Sequence, residues 1–287
     1  MTALPLRVVT HRNWLAQRFA PYGGTQDFGM DLCLEEVLSY AWWAPGDWVA
    51  RAHASGANLP LVSCGANWVE RMGVPEQWLK RRVVTVSACR AVEAASELEG
   101  DTVFVKLPEA KTDAFPACLV FKNHLGSVLA SPLIGEDTLV QLSEEIQFAC
   151  EARFFVAHSR VVASSWYQNE GLVWVDEGFA GGTPYEMAVL TELANAVALN
   201  RKSPSGYTVD IGLIRGTSYT PAIVEFNAGW SSNPYDADMD GVVEAVRASN
   251  AHTLTEQEQR YQQDNWSFDV NGVPGVHRPL PVRRSYA

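Results

Sequence analysis

Long apolar runs are missing from this 287-residue chain: no stretch approaches the roughly 20 consecutive apolar residues needed to span a bilayer. The stretch from Met1 to Val9 also lacks a charged segment followed by a signal-like apolar run, so a cytoplasmic protein without a membrane partner is expected. Paired cysteines are missing too. Cys33, Cys64, Cys89, Cys118 and Cys150 are odd in number, widely scattered and without a C-x-x-C pair, which argues against a disulfide framework. The six histidines are equally dispersed, with no H-E-x-x-H and no Cys/His cluster, so zinc is not supported and each histidine is expected at the surface or in a local hydrogen bond. Positive charge is short: 33 acidic residues against 22 basic give a net charge of -11, and the phosphate-neutralising surface that drives nucleic-acid binding is not expected. There is no G-x-G-x-x-G, no G-x-S-x-G and no Gly-Lys pair, which removes the commonest dinucleotide, hydrolase and P-loop sites. No internal repeat suggests a solenoid.

Apolar residues make up 47% of the chain, enough for a substantial core. Leu6 to Thr10 reads as a strand, followed by a helical stretch to Ala20 that Tyr22, Gly23 and Gly24 break. From Asp31 to Val49 tryptophan and leucine are dense, and Leu32, Val37, Leu38 and Trp42 fall on helical spacing. Trp42, Trp43 and Trp48 are read first as core and second as the wall of an apolar pocket. Val69 to Arg82 carries a helical pattern interrupted by Pro75, and Cys89 to Leu98 a helix ended by Gly100. Thr102 to Lys106 and Ala117 to Phe121 read as strands of a long hairpin, Thr138 to Leu142 as a strand, and Arg153 to Val156 with Arg160 to Tyr167 as a second hairpin turning at Ala157-His158-Ser159. Tyr185 to Leu199 is the clearest helix, with Met187, Leu190, Leu193, Ala194 and Val197 on one face. Tyr207 to Ile214 and Pro221 to Asn227 read as strands, Gly241 to Ser249 as a closing helix, and Asp264 to Ala287 as an extended surface tail. The class is α+β, with antiparallel hairpins and an α/β opening.

Lysine is the scarce cation. Five lysines stand beside seventeen arginines, and Lys106, Lys111 and Lys122 crowd into one hairpin, where a point charge is of use. Lys106 ends a strand and Lys111 sits in the loop after it, an arrangement that can aim two ammonium groups at a polyphosphate; plain solvation of the loop is the alternative. Alternation puts Glu151 and Arg153 on one strand face, either as a structural ion pair or with the arginine among phosphates. Glu225 and Asn227 share a strand face and offer hard oxygen ligands suited to Mg²⁺, with Asp210 on the preceding strand as the third; a strand end whose polar residues reach water is the alternative.

These residues, in their order and spacing over about residues 102 to 236, resemble an ATP-grasp enzyme. The pieces are Val105-Lys106 with the loop to Lys111 and Phe115, Glu151-x-Arg153, Asp210, and Glu225-Phe226-Asn227, followed by Trp230, Ser231 and Tyr235 as in a compact bacterial and phage clade. The resemblance implies a nucleotide held between two α+β subdomains. Residues 1–85 would form a small N-terminal α/β domain, 86–262 the ATP-grasp domain with its hinge at 141–146, and 263–287 the tail. It assigns Lys106, Lys111 and Arg153 to phosphates, with Lys106 and Arg153 catalytic, and Asp210, Glu225 and Asn227 to magnesium. The adenine hinge falls around Glu144, Glu145 and Ile146. Two departures are visible: Leu107 to Pro116 contains no glycine, and the segment before the first grasp strand offers Arg81, Arg82 and Arg90 where many members have a lysine.

The function implied is a carboxylate-amine ligase that spends ATP through an acylphosphate on small carboxylate and amine substrates, an amino acid or peptide among them. A phosphotransferase and a non-catalytic nucleotide-binding module are the alternatives. A homodimer is the default expectation for a soluble enzyme.

Overall fold

The computed structural model describes residues 4–108, 115–131, 134–216, 219–250 and 280–283. The chain opens with β1 (Leu6–Val9), α1 (Asn13–Phe19) and β2 (Gly24–Asp27), then β3 (Leu32–Cys33), β4 (Ala41–Trp43) and α2 (Gly46–Ala54). Strands β2, β1 and β4 form a parallel sheet in that order. The helix suggested by the spacing over Asp31 to Val49 is not formed: β3, a 3₁₀ turn over Leu34–Ser39, β4 and α2 occupy the stretch, and Leu38 points outward. The apolar run Ala41-Trp42-Trp43 is buried on both faces of a parallel strand, which needs continuous apolarity rather than a helical period. Trp42, Trp43 and Trp48 are core residues whose indole N–H groups donate to the carbonyls of Val37, Ser232 and Gly29.

Two short helices follow, α3 (Trp68–Met72) and α4 (Glu76–Leu79), separated at Pro75. Next come β5 (Val83–Ser87), α5 (Ala91–Ser96), β6 (Thr102–Lys106), β7 (Cys118–Phe121), α6 (Leu125–Leu129) and β8 (Leu139–Ser143). The four strands make an antiparallel sheet in the order β5-β8-β6-β7, which shares one apolar cluster with α5 and α6. The boundary expected after residue 85 falls inside β5, a strand the helical readings on either side of it left out.

The largest sheet is built from β9 (Phe148–Ala157), β10 (Arg160–Asn169), β11 (Leu172–Val173), β12 (Gly206–Ile214) and β13 (Pro221–Ala228), with α7 (Pro184–Ala198) between β11 and β12. Its order is β11-β10-β9-β12-β13. The β9–β10 hairpin turns through His158 and Ser159, both with positive φ, as a two-residue turn matching the strand twist requires. α7 starts in a capping box between Thr183 and Glu186, with Pro184 in its first turn, and buries Leu190, Leu193, Ala194 and Val197 against one face of the sheet. α8 (Met239–Ala248) covers the other face together with the N-terminal sheet. Gly241 makes that contact possible, because a Cβ there would stand 2.0 Å from the carbonyl oxygen of Val162. Central β12 is consequently buried along almost its whole length.

Much of the expected surface tail, including its last four residues, lies outside the described residues. In the part that is described, Leu280 is buried in the apolar cluster around Trp42 and Trp48, and β14 (Val282–Arg283), with Val282 exposed, pairs in parallel with β3. Among the described residues, no helix is long and apolar enough to cross a membrane, and the five cysteines are free thiols.

Candidate active site

Cross-strand register assembles the site. Arg153 on β9 stands opposite Asp210 on β12, and Asp210 stands opposite Glu225 on β13, so three charged residues form one row across three central strands. Arg153 grips Asp210 bidentately, Nε to Oδ1 at 2.8 Å and Nη2 to Oδ2 at 2.7 Å, in a pair that is 3% and 1% exposed. Burial alone would lower the Arg153 pKa, but the Asp210 charge and hydrogen bonds outweigh it and hold the guanidinium firmly protonated. Removing either partner would strand a charge away from water, so the two are obligatory neighbours.

Asn227 closes the cluster: its Nδ2 donates to Asp210 Oδ2 at 3.1 Å and to Glu225 Oε1 at 2.9 Å. The other Glu225 oxygen accepts from the ammonium of Lys106, which arrives from β6 of the smaller sheet. Two subdomains thus meet through one ion pair. The geometry of Glu225 depends on a bulge, since Asp210 faces Glu225 while Ile211 faces Ile223, leaving Val224 as an extra residue in β13. The bulge shifts parity by one, so that Ile223 and Phe226, three positions apart, both enter the core while Val224 and Glu225 both reach the cavity.

Arg81 fixes that bulge. Its Nη1 donates to the carbonyls of Leu79 at 3.1 Å and Ile223 at 2.8 Å, and its Nη2 to the carbonyl of Val224 at 3.0 Å. Burial pulls its pKa down to about 10, still well above neutrality. Of the three arginines expected near the missing linker lysine, it alone lines the cavity, with both Nη groups committed to backbone and its buried Nε without a hydrogen-bond partner among the described residues. Arg82 and Arg90 lie outward.

The cavity between the smaller and larger sheets has a volume of about 720 Å³. Lys106, Glu225 and Asn227 stand on its wall, as do Glu144, Glu145 and Ile146 in the connection from β8 to β9. The two hinge carboxylates turn back to the smaller subdomain. Glu144 accepts from the backbone N–H groups of Arg82 and Glu99, each at 2.9 Å, and Glu145 from the Thr102 hydroxyl at 2.8 Å. Arg153 and Asp210 lie beneath the wall rather than on it, and Lys111 falls outside the described residues.

Two further residues of the cavity pair with each other: Glu151, for which the sequence suggested an ion pair with Arg153, and Tyr167, to which it assigned no role. Glu151 accepts a hydrogen bond from the Tyr167 hydroxyl, and burial raises its pKa to about 7 against the opposing effect of that bond. Tyr167 is itself raised by burial. Tyr167 is an extra residue of β10, lying between Trp166, opposite Ala152, and Gln168, opposite Glu151. Strict alternation cannot find a residue that a bulge re-aims. The only signal was the shared face of Glu151 and Arg153.

An antiparallel sheet carrying the cluster of acids and amide, a smaller sheet carrying the strand lysine and a cleft between them define the ATP-grasp architecture. A family model described as an ATP-grasp domain, the second family of its clade, matches residues 78–245, and the chain belongs to that family. Among solved structures, D-cycloserine synthetase DcsG matches with a TM-score of 0.51 at 13% identity, covering 85% of this chain and 97% of that one. D-alanine–D-alanine ligase from Bacillus anthracis matches at 0.50 and 10% identity, with coverages of 85% and 97%. N5-carboxyaminoimidazole synthetase from Staphylococcus aureus matches at 0.51 and 11% identity, with coverages of 87% and 78%. At these identities the likeness is one of fold. No curated protein matches the chain.

Proposed function

We propose that this protein is an ATP-dependent carboxylate-amine ligase acting through an acylphosphate. The observation that carries the reading is the meeting of Lys106, Glu225 and Asn227 at the wall of a cleft whose hinge segment, Glu144 to Ile146, lines the same space. The hinge backbone would read the edge of adenine, with its carboxylates tied back out of the way. Among the described residues no group of three His, Cys, Asp or Glu side chains gathers, so a cation cage built from protein alone is absent. Glu225 and Asn227, both on the cavity wall, do offer Mg²⁺ hard oxygen donors, a carboxylate and an amide carbonyl, beside which the ion takes phosphate and water. Asp210, Glu225 and Asn227 would hold it, and when bound it supplies neutralisation of the phosphate oxygens.

The chain's own residues do the rest. Lys106 and Glu225 form a neutral pair, so Lys106 can exchange its carboxylate for a phosphate oxygen while Glu225 takes the metal in its place, and neither charge is left unpaired. Lys111 would add a second ammonium from the loop. Arg153 fixes Asp210 and places a permanent positive charge beneath the transferred group. A substrate carboxylate oxygen attacks the γ-phosphorus as the bond to ADP breaks. The amine nitrogen then attacks the acyl carbon, phosphate leaves with the C–O electron pair, and the nitrogen sheds its protons to solvent. Positioning and charge suffice, and no side-chain nucleophile is required.

Folded Glu225→Ala and Lys106→Ala variants should each lose ADP formation by about 10²-fold or more in a panel of amino acids and amines. Full turnover by either would overturn the assignment, and a stable phosphorylated acceptor in place of inorganic phosphate and an amide would make the enzyme a phosphotransferase.

A further inference from the structure

The smaller sheet turns two different faces to its surroundings. Along β8, Val140 and Leu142 enter the apolar cluster with α5 and α6, while Gln141 and Ser143 point the other way, onto the wall of the cavity. Gln141 is 4% exposed. Register sets it in a row between Thr85 on β5 and Lys106 on β6, three residues before the hinge segment that opens at Glu144.

A primary amide carries two N–H donors and an oxygen with two lone pairs, and burial makes each unmet group costly. Gln141 meets little of that demand. Its side chain makes one hydrogen bond among the described residues, from Nε2 to the Thr85 hydroxyl oxygen at 3.4 Å. Thr85 in turn donates to the carbonyl of Ala66 at 3.1 Å, so its hydrogen is spent and its oxygen can only accept from the amide. This decides which end of the amide faces β5: Nε2 lies against Thr85, and Oε1 is left for the cavity. A reversed amide would set two acceptors, Oε1 and the Thr85 oxygen, against each other. The cation of the row, Lys106, is taken by Glu225.

The space beside Gln141 suits a flat ring with a polar edge. Phe104 and Leu119, opposite each other on β6 and β7, join Ile146 and Phe148 as apolar lining. Both hinge carboxylates are turned back on the smaller subdomain, so Gln141 Oε1 stands as an acceptor beside the hinge without a negative charge.

We propose that Gln141 selects the base of the nucleotide: Oε1 accepts from an exocyclic amino group, such as that on C6 of adenine, and repels the oxo group that hypoxanthine and guanine carry there. Thr85 is the positioning residue that holds the amide in this orientation. The proposal rests on the nucleotide-binding part of the function proposed above and deepens it, and it is independent of the ligase chemistry.

Calorimetric titration of the full chain in Mg²⁺ with ATP and with inosine triphosphate tests it. The wild type should bind ATP about 10²-fold more tightly, and Gln141→Leu should cut that ratio about tenfold, mainly by weakening ATP. Thr85→Val frees the amide to turn its N–H groups toward the base and should cut the ratio severalfold by strengthening inosine triphosphate, a gain that a folding defect does not produce. A ratio that Gln141→Leu leaves unchanged overturns the proposal with the nucleotide site still standing. One that Thr85→Val leaves unchanged overturns the fixed orientation, and a wild type that binds neither nucleotide overturns the site itself. The ratio is read without turnover, so failure of the ligase reading would leave it standing.

Discussion

Glu151 shows what a single buried carboxylic acid does to the energetics of this site. Its pKa rises from 4.5 to about 7 because burial disfavours the anion. Between those values the folded state binds more protons than the unfolded chain, so stability should fall as pH rises from about 4.5 through about 7 and then level off. Glu151→Gln keeps the Tyr167 partner and removes the titration. Chemical denaturation at pH 5 and pH 8 should show the wild type losing up to about 3 kcal/mol relative to this variant, and parallel pH profiles would contradict the assignment. Residues such as Asp210, Glu225 and Asn227 could be read in advance because charged or amide side chains interrupt apolar strands, where little else explains them. Tyr167 could not, since its bulge makes its direction independent of alternation, and Arg81 could not be told from Arg82 and Arg90 until the fold placed it against β13.

At the scale of elements, the decisive one is β13. Its bulge turns Glu225 into the cleft, and Arg81 holds the bulge by two carbonyls, in effect a planar fork on backbone oxygens. Lysine keeps the charge and loses the fork. Arg81→Lys should therefore weaken magnesium-dependent ATP binding by about tenfold, measured by calorimetry, while the circular dichroism spectrum stays that of the wild type; unchanged nucleotide affinity would show that the bulge holds its shape unaided. Antiparallel elements with one buried face, such as β6, β7, β10 and α7, were legible because period 2 or 3.6 survives in them. Two strands, β4 and β5, were not, and of these only β4 is buried on both faces. β4 presents an apolar run that mimics a helix segment, and β5 lies between two helical patterns with no turn residue to separate it.

Across the whole molecule, the ion pair between Lys106 and Glu225 joins the smaller sheet to the larger one over the cavity, while Arg81 and the hinge carboxylates tie the connections at its back. The ligand-free site is charge-balanced, with two cations on two acids, and the proposed chemistry is an exchange of these partners for phosphate and metal. The α+β class was expected from the pattern of hairpins and helices, and the cleft from the resemblance carried by the order of Lys106, Arg153, Asp210 and Glu225, whereas the docking of β14 on β3 was not, because contact between distant chain segments leaves no local period. In the proposed function magnesium and nucleotide bind together at Glu225. A ligand bound only by the folded state raises the melting temperature by mass action, so the measurement is a thermal-shift titration with ATP, with and without Mg²⁺, on the wild type and Glu225→Ala. The wild type should show a shift that requires Mg²⁺ and vanishes in Glu225→Ala; an equal shift without metal, an equal shift in the variant, or no shift with the wild type would overturn the joint site.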